Sequence, residues 1–191
     1  IAAAINGNTN ITGANITHNS AVTVGAEDTD HRWNSTGLTI ISGTVLGNLT
    51  LSTATFNLSS GALINASESG FGGSATEGTA GSGTCGGRGP SAQAGGGGGY
   101  GGEGGRSGDG GTASRSCSFG SLTEPNALGS GGGAGDGSTV GGDGGGIIFI
   151  NASGTLNVSG VIETNGGTGQ DGEAADSLIE GAGGGSAGSV W

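Results

Sequence analysis

The sequence has no methionine, few aromatic residues and almost no positive charge. Its basic residues, apart from two histidines, are four arginines and no lysine, and its net charge is −11. Such a chain offers no basic patch to neutralise phosphates, so nucleic acid is not an expected partner. Apolar runs such as residues 147–150 are far shorter than the roughly 20 residues that a membrane span needs. The sequence therefore predicts no membrane span.

The residue types that most catalytic sites use are also scarce. Only His18 and His31 could serve as a histidine base, and neither lies in a catalytic motif. Without lysine the glycine-rich segments cannot form a phosphate-binding loop of the GxxxxGK[ST] type. The acidic stretch of residues 27–31 could offer oxygens and an imidazole to a metal, but we expect it to be a solvated turn before Arg32 and Trp33. We therefore predict that the protein is not an enzyme.

Four aspartates lie among glycines, an arrangement that resembles calcium-binding repeats. The GGxGxD order of those repeats is absent, because Gly135 is followed directly by Asp136. The aspartates concerned are Asp109, Asp136, Asp143 and Asp171. Calcium binding by them is therefore only a secondary expectation. No other metal or cofactor is predicted.

Glycine dominates the composition, with 51 residues where average usage predicts roughly 13. Glycine in a helix interior costs about 1 kcal/mol relative to alanine. No window places apolar residues with helical periodicity. The sequence therefore predicts an all-β protein with essentially no α-helix.

The chain has three regions that differ in amino-acid composition. Residues 1–69 are rich in Thr, Asn and aliphatic residues that alternate with polar ones, as in Leu49, Leu51, Phe56 and Leu58. This alternation predicts short half-buried strands in a β-solenoid or a sandwich-like module. Strand patterns return in residues 147–191 with a second glycine stretch. The three regions are expected to form one integrated module.

Residues 70–146 carry the densest glycine, and part of it recurs at every third position, as at 96, 99, 102, 105, 108 and 111. A period of three matches the polyproline II helix. The alternative is a flexible Gly/Ser linker. We expect ordered packing of polyproline-II-like segments, in which Gly99, Gly102 and Gly105 face neighbouring backbone.

The two cysteines, Cys85 and Cys117, bracket the most glycine-rich stretch, where little side-chain burial offsets the cost of ordering the chain. A disulfide closing about 30 residues stabilises a fold by roughly 3 kcal/mol in the chain-entropy model. The alternative is two buried free thiols. The extracellular character of the chain favours the disulfide.

The two ends of the sequence match an internal segment when they are joined. Gly188 to Trp191 followed by Ile1 to Ala3 has the same order of residue types as residues 146–152. Further on, residues 157–160 match residues 10–13, and residues 57–61 are a looser third copy. Such self-similarity is typical of solenoids and arrays. We therefore expect a junction between copies, covalent or not, at Ile1, Val190 and Trp191; the alternative is a monomer with two similar edge strands.

Several blocks together resemble a known class of protein. These are FNLSSGALINASESGFGG from Phe56, GGGGGYGGEGG, SFGSLTEPNALGSGGG, GGGIIFINASGTLNVSGVIETNGG and the closing AGSVW. In this order they resemble the glycine-rich repeat modules of very large secreted proteins of protists and some bacteria. The resemblance implies a secreted, extracellular role in a surface appendage, sheath or matrix. The block GGGGGYGG is also similar to the glycine-rich ectodomain of anaplastic lymphoma kinase-type receptors, and supports only the packing of glycine segments.

Asn-x-Ser/Thr sequons occur more often than chance predicts. The chain has eight of them, whereas its 13 asparagines and 43 Ser plus Thr give about three by chance. The alternative is that Asn-aliphatic-Thr is simply the pattern of a half-buried strand. Both interpretations place the asparagine on the solvent face, and we expect N-glycosylation there. The sequons are at Asn10, Asn15, Asn34, Asn48, Asn57, Asn65, Asn151 and Asn157.

These features lead to two hypotheses of different class. The first is a structural subunit or repeat of a secreted, glycosylated extracellular fibre, whose partners are copies of itself and its glycans. The second is a monomeric extracellular binding module of the adhesin or ice-binding type.

Overall fold

The computed structural model describes residues 7–19, 23–25, 29–105, 107, 117–172 and 180–191. This described part contains no α-helix, only a 3-10 turn at Asp136–Ser138, and the all-β prediction is confirmed. Its strands are β1 Thr9–Gly13, β2 Ile16–His18, β3 Thr23–Val24, β4 Asp30–Ser35, β5 Leu38–Ile41, β6 Thr44–Leu46, β7 Asn48–Thr53, β8 Thr55–Leu58, β9 Leu63–Asn65, β10 Ile147–Ala152, β11 Leu156–Val158, β12 Val161–Glu163 and β13 Ser189–Val190.

The strands form three sheets that the chain visits in turn. The first sheet has the order β1-β4-β7-β10-β13, the second β11-β8-β5-β2 and the third β12-β9-β6-β3. The strands that neighbour each other within these sheets pair in parallel. Three successive strands therefore complete one turn, and the fold is a parallel β-solenoid rather than a sandwich.

The strand register sets the length of each turn. Thr9 pairs with His31, a step of 22 residues, and Asp30 pairs with Asn48, a step of 18. Leu49 pairs with Ile148, a step of 99, because the glycine-rich segment is inserted between the third and fourth turns. The residues before and after that insertion therefore belong to one continuous ladder.

The core follows from alternation along each strand. In β7 the burial pattern places Leu49 and Leu51 inside, while Thr50 between them is exposed. Burying an aliphatic or aromatic side chain of this size contributes about 1.5–3 kcal/mol. The fully buried apolar side chains stack from turn to turn and include Ile41, Val45, Leu49, Leu51, Phe56, Leu58, Ile64 and Ile148.

A tight corner between strands shows why glycine is needed even in the solenoid. Gly47 separates β6 from β7 with a φ of 94°, which residues with a Cβ rarely adopt. Its amide donates to the carbonyl of Asn65 at 2.8 Å. The chain thus bends from the third sheet into the first within one residue, and the corner still hydrogen-bonds to the next turn.

The glycine segments are packed side by side through backbone hydrogen bonds. The amides of Gly95 and Gly98 donate to Gly181 and Gly184, whereas the amides of Gly96 and Gly99 donate to a second neighbour, at Arg88 and Cys85. Each neighbour is therefore contacted at every third residue, as three residues per turn require. The predicted packing of polyproline-II-like segments is present, and we call this assembly the glycine bundle (residues 69–105, 129–146, 164–172 and 181–188).

The expectation for individual glycines was right for Gly99 and wrong for Gly102 and Gly105. A Cβ at Gly99 would collide with the backbone carbonyl of Cys117, but one at Gly102 or Gly105 would meet nothing within 4 Å. The reason is a reversal of the chain, which forms an antiparallel bridge between Tyr100 and Gly102. Gly102 and Gly105 are exposed after this reversal, whereas Gly104 between them packs against the carbonyl of Gly97.

The expected solvated turn around His31 was also wrong for His31 itself, which is 1% exposed. Its Nε2 lies 2.8 Å from the carbonyl oxygen of Leu46, and its Nδ1 lies 2.9 Å from the hydroxyl of Thr9. Trp33 donates to the same hydroxyl at 2.8 Å. Because β4 alternates inward at these positions, the imidazole becomes part of the core. Glu27 and Asp28 lie outside the described residues.

Candidate assembly and glycosylation surfaces

The fourth turn presents inward-facing apolar side chains to solvent. Leu156 and Val158 are in register with Phe56 and Leu58, which are fully buried in the turn below. Leu156 is nevertheless 54% exposed and Val158 is 43% exposed. In the described part of the chain, only β13 lies beyond this turn. We call the exposed end, formed by Ile150, Ala152, Leu156, Val158 and Ile162, the apolar end face.

Strand β13 begins a fifth turn beside this face. Ser189 pairs with Ile147 and Val190 with Ile148, in the register that the sequence match of residues 188–191 with residues 146–149 predicts. The ring of Trp191 packs edge-on against Phe149, with 4.9 Å between centroids. The predicted junction residues Val190 and Trp191 therefore lie on the ladder itself, and Ile1 lies outside the described residues.

The glycine bundle holds β13 in place. The hydroxyl of Tyr100 lies 2.5 Å from Oγ of Ser189, which donates to the carbonyl of Ala127 at 2.6 Å. The amide of Gly188 donates to the carbonyl of Thr164 at 2.8 Å. The solenoid and the glycine segments thus together fix the position of β13.

The eight sequon asparagines occupy two kinds of environment. Five are exposed, and their side chains lie on the outer surface of the solenoid: Asn10, Asn15, Asn34, Asn151 and Asn157. Among them, Asn157 donates through Nδ2 to Oδ1 of Asn57 at 3.0 Å, which forms an asparagine ladder between turns. The other three, Asn48, Asn57 and Asn65, are half-buried.

Asn48 differs most from the expectation of a solvent-facing asparagine. Its Oδ1 accepts from the amide of Ile147 at 2.7 Å, while its Nδ2 donates to Asp30 at 3.1 Å and to the carbonyl of Ser69 at 3.2 Å. Ser69 and Ile147 lie where the chain leaves the solenoid and where it returns. Asn48 therefore connects both ends of the insertion to the third turn.

Comparisons with family models, curated proteins and solved structures find no match to this chain.

We expect Asn48→Ala to lower the free energy of unfolding by about 3 kcal/mol, because three hydrogen bonds are lost and the amide of Ile147 loses its acceptor. Chemical denaturation followed by circular dichroism measures this change. Asn34→Ala, exposed on the same sheet, is the matched control and should change stability by less than about 0.5 kcal/mol. Equal effects of the two substitutions would contradict the connecting role of Asn48.

The disulfide predicted between Cys85 and Cys117 is present, with 5.3 Å between the Cα atoms and a sequence separation of 32. Cys85 is buried, and its carbonyl accepts from Gly99 inside the glycine bundle. Cys117 is exposed. The bond thus attaches the segment around residue 117 to the bundle.

We expect the double variant Cys85→Ser with Cys117→Ser to be less stable by roughly 3 kcal/mol, since the unfolded chain loses the constraint of the closed loop. Thermal and chemical denaturation of both proteins test this. Intact mass spectrometry of the unreduced protein is the companion measurement. Two thiols that react with an alkylating reagent under native and unfolding conditions alike would contradict the bond.

Within the described residues, no three His, Cys, Asp or Glu side chains lie together as a metal site. Asp143 accepts through Oδ1 from the amide of Gly73 at 2.6 Å, and Asp136 accepts from Gly137 at 2.8 Å. These two carboxylates therefore accept hydrogen bonds from backbone amides that lie close to them in space. Asp171 joins no such group with them, and Asp109 lies outside the described residues.

Among the described residues, no helix is long and apolar enough to cross a bilayer.

Sequence reasoning missed the apolar end face and the role of Asn48. The end face follows from strand register, since Leu156 and Val158 look like ordinary inward residues of a strand. For Asn48 the sequence does contain a signal. Gly47 immediately before it indicates a corner, and asparagine side chains at corners commonly hydrogen-bond to backbone groups.

Proposed function

We propose that the chain is a structural unit of a secreted, glycosylated extracellular fibre that assembles head-to-tail, and that it is not an enzyme. One observation carries the proposal: β13 continues the first sheet in register while the apolar end face beside it stays exposed. A further copy of the chain supplies strands of matching spacing and alternation. Its placement there extends the ladder and buries that face.

Parallel strands that stack along one axis suit this role. Each strand inside a sheet hydrogen-bonds to a strand of the turn before it and to a strand of the turn after it, so a solenoid can be extended along its axis by adding turns. An uncovered ladder end also invites strand addition. Head-to-tail contacts, in which one end binds the opposite end of the next copy, produce an open filament rather than a closed dimer.

A glycan coat is the second part of the proposal. The described strands carry only three charged side chains, Asp30, Arg32 and Glu163, so charge on the strands contributes little to preventing sheet faces from pairing side by side. Sugars on the exposed asparagines hinder such pairing and shield the backbone from proteases. On the outer face of the first sheet, the three sequons Asn10, Asn34 and Asn151 lie on strands β1, β4 and β10. They are therefore at three different heights along the solenoid axis.

The glycan coat is tested by glycopeptide mass spectrometry of the protein from its native source. We expect sugars on Asn10, Asn34 and Asn151, and a bare side chain at Asn48, whose amide is used in the fold. Unmodified Asn10, Asn34 and Asn151 would overturn the coat and leave the fibre proposal standing.

The second candidate is a monomeric extracellular binding module. A shallow polar groove on the outer face of the first sheet favours it, and Arg32 lies in its middle. The remaining polar residues that line this groove are Asn10, Thr12, Asn34, Thr50 and Ser52.

Sedimentation velocity and negative-stain imaging of the purified chain at increasing concentration separate the two candidates. Head-to-tail association predicts species that lengthen at constant width. A compact monomer at all concentrations would overturn the fibre and favour the binding module.

A further inference from the structure

We propose that successive copies in the fibre are rotated by one side of the solenoid, so that the second sheet of one copy continues as the first sheet of the next. This inference rests on the proposed head-to-tail assembly. It specifies which strands meet at the junction, namely β11 of one copy and β1 of the following copy.

The order in which the chain visits the sheets gives the first argument. Strands β1 and β13 both belong to the first sheet, so this chain begins and ends its described ladder on the same side. In a continuing solenoid, the strand after β13 lies on the second sheet. The first strand in the described part of a following copy is β1, which in this arrangement meets β11 at the open edge of the second sheet.

Side-chain alternation gives the second argument. Placing Asn10 of the following copy beside Asn157 sets Thr9 beside Leu156 and Ile11 beside Val158. Asn10 and Asn157 are exposed, whereas Thr9 and Ile11 occupy the inward positions of β1. The apolar column of Leu58 and Val158 then continues through Ile11, and Asn10 lies next to Asn157 on the outer surface.

The alternative is an in-phase arrangement, in which β1 of the following copy stacks on β13 in the first sheet. It leaves one strand position empty beside β11 and another beside β12. Val158 and Ile162 then remain uncovered inside the fibre, without the apolar contacts that bury their equivalents Leu58 and Ile64. The rotated arrangement fills both positions.

The rotation determines the geometry of the fibre. Each copy adds four turns and one side, so with strands about 4.8 Å apart the rise is about 21 Å and the rotation about 120° per copy. Three copies return to the same side after about 62 Å. The glycine bundles then project from three sides of the fibre in succession.

Engineered disulfides between copies test the arrangement. One double variant, Asn10→Cys with Asn157→Cys, places thiols on the strands that meet in the rotated arrangement. The other, Asn10→Cys with Trp191→Cys, places them on the strands that meet in the in-phase arrangement. Neighbouring parallel strands bring Cα atoms within the span of a disulfide. Both proteins are produced without glycans, oxidised after assembly, and run on non-reducing gels beside negative-stain images.

We expect a ladder of cross-linked oligomers for the pair at residues 10 and 157, and at least tenfold less cross-linking for the pair at residues 10 and 191. The reverse preference overturns the rotation and leaves the fibre intact. Fibres in which neither pair cross-links also overturn it. Absence of fibres from both variants and from the unaltered protein contradicts the proposed function itself.

Discussion

Gly98→Ala is expected to lower the free energy of unfolding by at least about 3 kcal/mol, a large effect for one added methyl group. Gly98 is buried, and its amide donates to Gly184 at 2.9 Å. A Cβ at this position would overlap the carbonyl oxygen of Ser130 and crowd that of Gly131. Both obstacles are backbone atoms held by further hydrogen bonds, so neither can move without separating segments of the bundle.

Gly105→Ala is the matched control for this substitution. A Cβ at Gly105 meets nothing within 4 Å, and the residue is exposed. Because alanine restricts the unfolded chain, Gly105→Ala should leave stability unchanged or raise it by up to about 1 kcal/mol. Thermal and chemical denaturation of both variants measure the contrast. Equal tolerance would mean that the glycine segments are a linker and not a packed bundle.

Val158→Asp is expected to prevent fibre growth while leaving the isolated chain folded. Val158 is partly exposed in one copy, so a carboxylate there remains in contact with water. In the fibre the same position lies beneath the next copy, where an unpaired charge loses its hydration. A cost of about 4 kcal/mol corresponds to roughly a thousandfold weaker association.

Thr50→Asp adds the same charge on the exposed outer face of the first sheet, away from the end face. We expect this control to assemble like the unaltered chain. Sedimentation velocity reports association, and circular dichroism with a melting curve reports the fold of both variants. Fibres formed by Val158→Asp at the unaltered concentration would show that the apolar end face is not the junction.

The individual strands of the solenoid could be predicted from the sequence, because each depends only on the alternation of apolar and polar residues along it. Leu49, Leu51, Phe56 and Leu58 alternate with polar residues, and this pattern gives strands wherever one face is buried. The sequence does not reveal that β7 pairs with β10, 99 residues away, since the pairing depends on how the whole insertion folds. From the sequence alone, a solenoid and a sandwich are therefore both possible folds, and the register of the strand pairs distinguishes them.

The glycine bundle was predictable as a type of packing but not residue by residue. A spacing of three identifies the helix type, and the amides of Gly95 and Gly98 follow it. It does not reveal where a segment reverses, and the reversal at Tyr100 leaves Gly102 and Gly105 in open space. Periodicity constrains each segment alone, whereas contact with a neighbour depends on the path of the chain between segments.

The sequons illustrate a similar limit. Asn34 and Asn48 carry the same three-residue pattern, yet Asn34 is exposed and Asn48 makes three hydrogen bonds at the base of the insertion. The pattern describes local chemistry, and only the surrounding fold decides whether the amide is occupied.

Helical reconstruction by cryo-electron microscopy of the fibre from its native source tests the central claim most directly. The account predicts an unbroken parallel ladder of strands through the junction after Trp191, with sugar density projecting from Asn10, Asn34 and Asn151. Separate compact particles, or fibres whose copies contact one another through the sides of the solenoid and leave Val158 exposed, would contradict it.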